Sequence, residues 1–373
     1  EKPLYSITAA NMAQHAAKLS EGTQAMLKKY PQSFRVDVYK THRTAAAPQW
    51  VYDNTFKNAT TAKQEGEILV GAYGGIPFPL PQNGAEALWN YRLSWQGADT
   101  FYAPFDTWLM TAGGKKLQAT RARFWYQHPY YFKEGSLDTY GGKHLIGKLL
   151  TEQPSSKAGE GLMTHWDMDP GARAAWQYLV GQRRVRRAPN IAYDTPDFVT
   201  SGVGFFDEAF MIFGPTDRHD LKLVGKKELL VPYNNNRAAA ASSDELVKPG
   251  FLNPDLVRWE KHRVWVVEAT LKAGKRHVVP KRTYYVDEDS WQVLLVDGYD
   301  AQGKLGRHNY SLTLLAPEMP VLTANVMWGS YNLETGAYFL NASANDLKVQ
   351  YQDYPRPSAS FFTPDAMASD SMR

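Results

Sequence analysis

The 373-residue chain has no cysteine. That absence excludes disulfides, thiolate catalysis, cysteine-ligated zinc, iron–sulfur clusters and a lipid-modified cysteine within it. A strong charge of one sign is also missing. The 42 Lys and Arg against 38 Asp and Glu leave a formal +4, short of the concentrated basic excess of a dedicated nucleic-acid binder. No apolar run is long enough to predict a membrane-spanning helix. Neither a P-loop nor a GxGxxG motif cradles a phosphate, since Gly202 and Gly204 lack the third glycine. The GxSxG elbow of serine hydrolases is absent as well. The chain starts at Glu1 without an initiator Met or a charged-then-apolar leader, which predicts an exported protein whose signal peptide has been removed.

Aromatic residues, by contrast, are plentiful: 22 Tyr, 16 Phe and 11 Trp. In a strand-prone chain they predict a sheet protein with a cavity or a sugar-binding face. Residues 1–30 read as an N-terminal helical segment, capped at Thr8 and broken at Gly22. "YGGIPFPLPQNG" is rigid punctuation, and "AEALWNYRL" after it has helical spacing. The main β region is expected over 99–316, with a looser stretch at 133–170. Within it, "LVRWEKHRVWVVEATL", "RHVVPKRTYYVD", "SWQVLLVDGYD" and "KLGRHNYSLTLLA" are joined by short turns, which predicts an antiparallel meander. Two of these strands are apolar on both faces, so each side of the sheet must be covered. Residues 355–373 are expected to fray.

"GFFDEAFMIFGP" does not fit a strand. Its apolar density predicts a short helix or folded lid that buries Phe205, Phe206, Phe210, Met211 and Phe213 against the sheet or a ligand. Trp265 and Trp291 are weaker wall candidates. Core filling explains the same aromatics equally well. "HWDMD" and "TDRHD" offer metal-type side chains at a spacing that solvated turns produce by chance, and "VDEDSW" reads as a tight turn; no metal and no cofactor is expected. Glu268, mid-strand among apolar neighbours, is the best buried acid for a hydrolase, although a cross-strand pair with Arg282 or Lys281 accounts for it better. In "GQRRVRRAPNIAYDTP" the alternation puts Arg183 and Arg187 on one face and Arg184 and Arg186 on the other. Pro189 leaves no room for a long basic helix. The expectation is a strand in which at least two guanidiniums pair with carboxylates or stack on aromatics, with an anionic or partner surface as the weaker reading.

The same stretch, together with "FGPTDRHDLKLVGKKELLVPYNN", "PFPLPQNGAEALWNYRL", "MLKKYPQSFRVDVYKTHR" and the meander, resembles a bacterial family labelled outer-membrane lipoprotein-sorting-like and grouped with the LolA/LolB superfamily. The resemblance covers nearly the whole chain and implies one domain over 1–373. It implies a mainly β (α+β) fold: a large curved antiparallel sheet or incomplete β-barrel, with helices and a hydrophobic insert on the concave face. It further implies a periplasmic location, with peripheral association with the outer membrane, and an apolar face that can receive acyl chains. The expected function is a non-enzymatic carrier or chaperone for a hydrophobic small molecule or lipid, working with outer-membrane or transport-complex proteins and not with nucleic acid. The alternatives are a lipid- or glycan-processing hydrolase using buried carboxylates, and a scaffold in an outer-membrane assembly.

Overall fold

The structure is a computed structural model that describes all residues except 189–192, 324–326 and 372–373; Pro189 therefore lies outside the described residues. Among the described residues, seventeen strands share one sheet. Its principal members are β1 (Phe105–Met110), β2 (Lys116–Gln127), β3 (Lys143–Gln153), β4 (Gly161–Asp167), β5 (Ala174–Leu179), β6 (Arg184–Arg187), β7 (His219–Pro232), β8 (Trp259–Leu271), β9 (Lys281–Asp287), β10 (Val293–Tyr299), β11 (Leu305–Ser311), β12 (Trp328–Asn332) and β13 (Tyr338–Ser343). The spatial order runs β7 to β13 and then β1 to β6, every neighbour antiparallel. The sheet is curved and not closed. β6 and β7 each pair on one side only, so they are its two edges.

The expected meander is present in β8 to β11, and the hairpin before it in β1 and β2. The main β region is wider than 99–316, because β12 and β13 at 328–343 join the meander to the hairpin. The looser stretch expected at 133–170 contains the long strands β3 and β4. β3 is held by pairing to β2, and β4 by pairing to β3 and β5, rather than by a strong pattern of their own. β7 was hidden by its many lysines, which an edge strand can carry to solvent.

Alternation along the strands places Val266, Tyr285, Leu295 and Tyr310 on one face, and Val267, Tyr284, Val286 and Val296 on the other. The first face is covered by α1 (Glu21–Lys29), capped by Ser20 through the Thr23 amide. Gly22 does not break this helix. It lets the helix approach the sheet, where a Cβ would stand 2.0 Å from the His308 ring and 2.2 Å from Asp297. The second, concave face is covered by α3 (Gly84–Arg92), which follows α2 (Gln49–Thr61) in the chain. Asn83 caps α3, and Gly84 packs where a Cβ would lie 2.8 Å from the Leu221 backbone. Buried Asn90 accepts from the Phe78 amide and donates to the Phe78 carbonyl, which clamps the proline-rich stretch onto the helix.

The tail expected to fray over 355–373 is instead built into the fold over its described residues. It carries α4 (Pro364–Ser371) and packs Phe362 and Met367 against Trp125, Leu150, Met163 and Tyr178 on the outer face of β2 to β5. Apolar burial outweighs the polar composition of the tail. Met367→Ala is expected to lower the unfolding free energy by about 2–5 kcal/mol, as large-to-small core changes do. Denaturant titration of both proteins checks this.

Candidate functional site

The chain leaves the sheet at β6 and re-enters at the opposite edge, β7, and the described residues 193–218 between them cross over β2, β4, β9 and β11. This crossing carries the phenylalanine-rich insert as a kinked 3₁₀ turn, Phe206–Met211. Phe210 and Met211 hold φ of 51° and 75°, a left-handed conformation costly for side chains of that size. Two buried ion pairs hold the turn there. Asp207 binds Arg282 of β9 through two bonds of 2.8 and 3.0 Å and accepts from His277 Nε2 at 2.7 Å, the ring's Nδ1 accepting from the Val279 amide. Glu208 binds Arg307 of β11 through two bonds of 2.6 Å and accepts from the Phe205 amide. Burial alone would raise the Asp207 pKa, but Arg282 and His277 outweigh it and hold the carboxyl well below its usual range.

Between the insert and the sheet lies a narrow cleft with a free volume of about 70 Å³, part of it open to solvent. Tyr91 from α3, Phe124 from β2, Trp166 from β4, and Phe210, Ile212 and Phe213 from the crossing form its apolar walls. Phe210 stacks on Phe124 at 6.0 Å, and Phe213 meets Trp166 edge-on at 4.8 Å. A second, small apolar hollow of about 30 Å³ lies beyond Phe124 and Phe210, which line both. At its other end the cleft adjoins a much wider polar one of about 610 Å³, and Arg92 and Arg173 line both of these.

These two arginines make no ion pair among the described residues. Arg92 donates to the Gly214 carbonyl and lies over the Trp89 ring. Arg173 donates to the Asp167 carbonyl, lies over Trp166, and leaves Nη1 without a partner. Burial, and then the facing Arg173 charge, push the Arg92 pKa down to about 9; burial lowers that of Arg173 as well. His128 and His144 line the same cleft. Burial brings His128 to about 4, and burial together with both arginines holds His144 well below the usual imidazole value, so both are neutral at pH 7.

The structure brings only Phe210 and Phe213 of the expected lid residues to the cleft. Phe206 packs on Phe198, Met211 is buried in the core, and Phe205 lies under the Arg307 guanidinium. Trp265 and Trp291 stack on each other at 6.4 Å away from the cleft, with Lys226 over Trp265. Glu268 is half-buried and stands opposite Lys222 and Thr283. Its expected partner Arg282 is taken by Asp207. Among the described residues, His262, Asp287 and Asp289 alone are grouped closely enough to suggest a metal. Each is already engaged, with Glu260, with Tyr233 and Ser290, and with Arg43 respectively.

The four arginines correct the expectation of paired guanidiniums. Arg184–Arg187 form the exposed edge strand β6, and Arg183, at φ 49°, sits in the turn before it. None makes an ion pair or ring contact among the described residues. Their nearby partners are committed elsewhere: Asp194 accepts from the Val278 amide, Asp197 from the Val199 amide, and Tyr193 donates to Asp217 beneath Arg218. Sequence reasoning missed Arg92 and Arg173. Arg92 read as an ordinary basic residue in a last helical turn, and only the missing acid in the fold sets it apart.

Residues 6–368 match the family described as protein of unknown function, DUF1329. The chain belongs to this family. It is 36% identical over 385 residues to the uncharacterized protein PA3922 of Pseudomonas aeruginosa, covering 100% of this chain and 83% of that one. A crystal structure assigned to an outer membrane lipoprotein-sorting protein domain from Vibrio parahaemolyticus matches with a TM-score of 0.49 at 15% identity, over 72% of this chain and 92% of that one. A LolA superfamily protein from Nitrosomonas europaea matches with a TM-score of 0.43 at 11% identity, over 77% of this chain and 100% of that one.

Two outcomes follow from the anchoring. Arg282→Met leaves Asp207 buried without its main counter-charge and is expected to cost about 3–5 kcal/mol in denaturant unfolding. Asp197, beside the turn, has its pKa raised by burial from 3.8 to about 7. The folded protein therefore holds a proton that the unfolded chain releases. This contribution is complete below about pH 4 and is lost as the pH rises through 7. Asp197→Asn should accordingly gain stability relative to the wild type between pH 4 and pH 8, measured by urea unfolding at each pH.

Proposed function

We propose that this protein is a non-enzymatic carrier or chaperone that takes up a hydrophobic ligand in the cleft beneath the crossing segment. The observation that carries the reading is the cleft itself: apolar walls on three structural elements, closed over by Phe210 and Phe213. Ligand pockets typically have such walls, with a few polar groups at one end. The Phe124–Phe210 stack divides it from the second apolar hollow, so a rotation of Phe210 would lengthen it. The cleft lining contains no carboxylate, which disfavours a glycosidase-like pair of acids in that cleft. The motif resemblance supports placing this carrier in the periplasm, and no described helix is long and apolar enough to cross a membrane.

The wild type is expected to take up a fluorescent fatty-acid probe saturably, and to retain a hydrophobic adduct in native mass spectrometry after mild purification. Phe210→Asp and Phe213→Asp put a charge among the apolar walls and should weaken the probe about tenfold. Trp265→Ala should leave it unchanged. Absence of probe uptake by the folded wild type would sink the carrier reading.

A further inference from the structure

Arg92 and Arg173 meet at the junction of the narrow apolar cleft and the wide polar one. The protein elsewhere matches its buried guanidiniums with carboxylates, as Arg282 with Asp207 and Arg307 with Glu208 show. These two have only backbone carbonyls and aromatic faces. Unlike the edge arginines, they are half-buried and face each other, so each raises the cost of the other's charge. The acids that bear on them are Glu67, which is exposed at the mouth, Asp217, which already accepts from Tyr193 at 2.6 Å, and Asp167, which already accepts from the Asp169 amide. Beside them, Arg173 Nη1 and the Trp166 indole Nε1 are buried donors with no acceptor among the described residues. Two cations and two unused donors at the polar end of an apolar cleft lack one thing: an oxyanion tethered to an apolar chain.

We infer that Arg92 and Arg173 form a headgroup subsite, and that the ligand is an anionic amphiphile whose carboxylate or phosphate sits between them with its tail among Phe124, Trp166, Phe210 and Phe213. This rests on the carrier reading above and names its ligand class. The head carries the negative charge that the site lacks, while the wide polar cleft leaves it in reach of water. An uncharged chain of the same length fills the same walls and leaves both guanidiniums uncompensated.

Calorimetric titration of the wild type with dodecanoate, dodecyl phosphate, dodecanol and inorganic phosphate tests it. Both anionic amphiphiles should bind at least about tenfold more tightly than dodecanol, the effect of one charge-assisted contact, and inorganic phosphate alone should not bind measurably. Arg92→Gln and Arg173→Gln should remove that preference and leave dodecanol within about twofold, whereas Arg92→Lys should keep most of it. Dodecanol binding as tightly as dodecanoate would overturn the headgroup subsite and leave the carrier standing. Phosphate binding as well as dodecyl phosphate would overturn the amphiphile in favour of a free-anion site. No binding by any chain compound would overturn both readings. Thermal melts confirm folding, and if the glutamine variants unfold, the wild-type head comparison and Arg92→Lys still decide.

Discussion

The chain finishes one edge of an open sheet at Arg187 and must begin the opposite edge at His219. That single topological demand places a polypeptide segment across the concave side. A bare backbone there would bury unsatisfied polar groups and leave apolar strands uncovered. The segment answers with phenylalanines directed at the sheet and with two carboxylates directed at arginines on β9 and β11. Its left-handed residues at 210 and 211 persist because those ion pairs and the ring contacts determine the backbone from several directions. Covering, anchoring and strain are therefore one arrangement.

The interior treats its cations in two ways. Arg282 and Arg307 are consumed in holding the crossing segment, and their bidentate geometry fixes both position and charge. Arg92 and Arg173 are brought in by α3 and by the residue just before β5, and no carboxylate among the described residues is paired with either. Rings, neutral histidines and backbone carbonyls surround them in the apolar cleft, and the acids Glu67, Asp167 and Asp217 bear on them only without contact. The first pair belongs to the fold, and the second is available to something outside the chain.

The sequence made legible whatever repeats locally. β8 to β11 show alternation, and their turns carry Gly, Asp or Ser at the right places, so the meander could be read strand by strand. The insert was legible for a cruder reason: six large apolar residues between glycines must be buried somewhere. β3, β4 and β7 were not legible, because their polar faces are explained only by neighbours far away in the chain. The same holds for the site. Phe210 and Phe213 could be anticipated from composition, but their separation from Phe206 and Met211 depends on a kink that no local rule specifies. Arg92 and Arg173 lie far apart in sequence, and their significance is the absence of a partner, which has no local signature. Glu268 was overvalued because its apolar flanks, Val267 and Ala269, both face one covered side of the sheet while Glu268 points to the other, opposite Lys222.

The two edges share a property with a wider consequence. β6 exposes Arg184, Arg186 and Arg187, and β7 carries Lys222, Lys226 and Lys227, with a bulge at Leu223/Gly225. A strand added at β6 would meet a row of exposed guanidiniums, and one added at β7 an interrupted ladder with charged side chains of both signs. Both margins are thus poor templates for an added strand, and the opening left between them is the one through which the interior communicates with solvent.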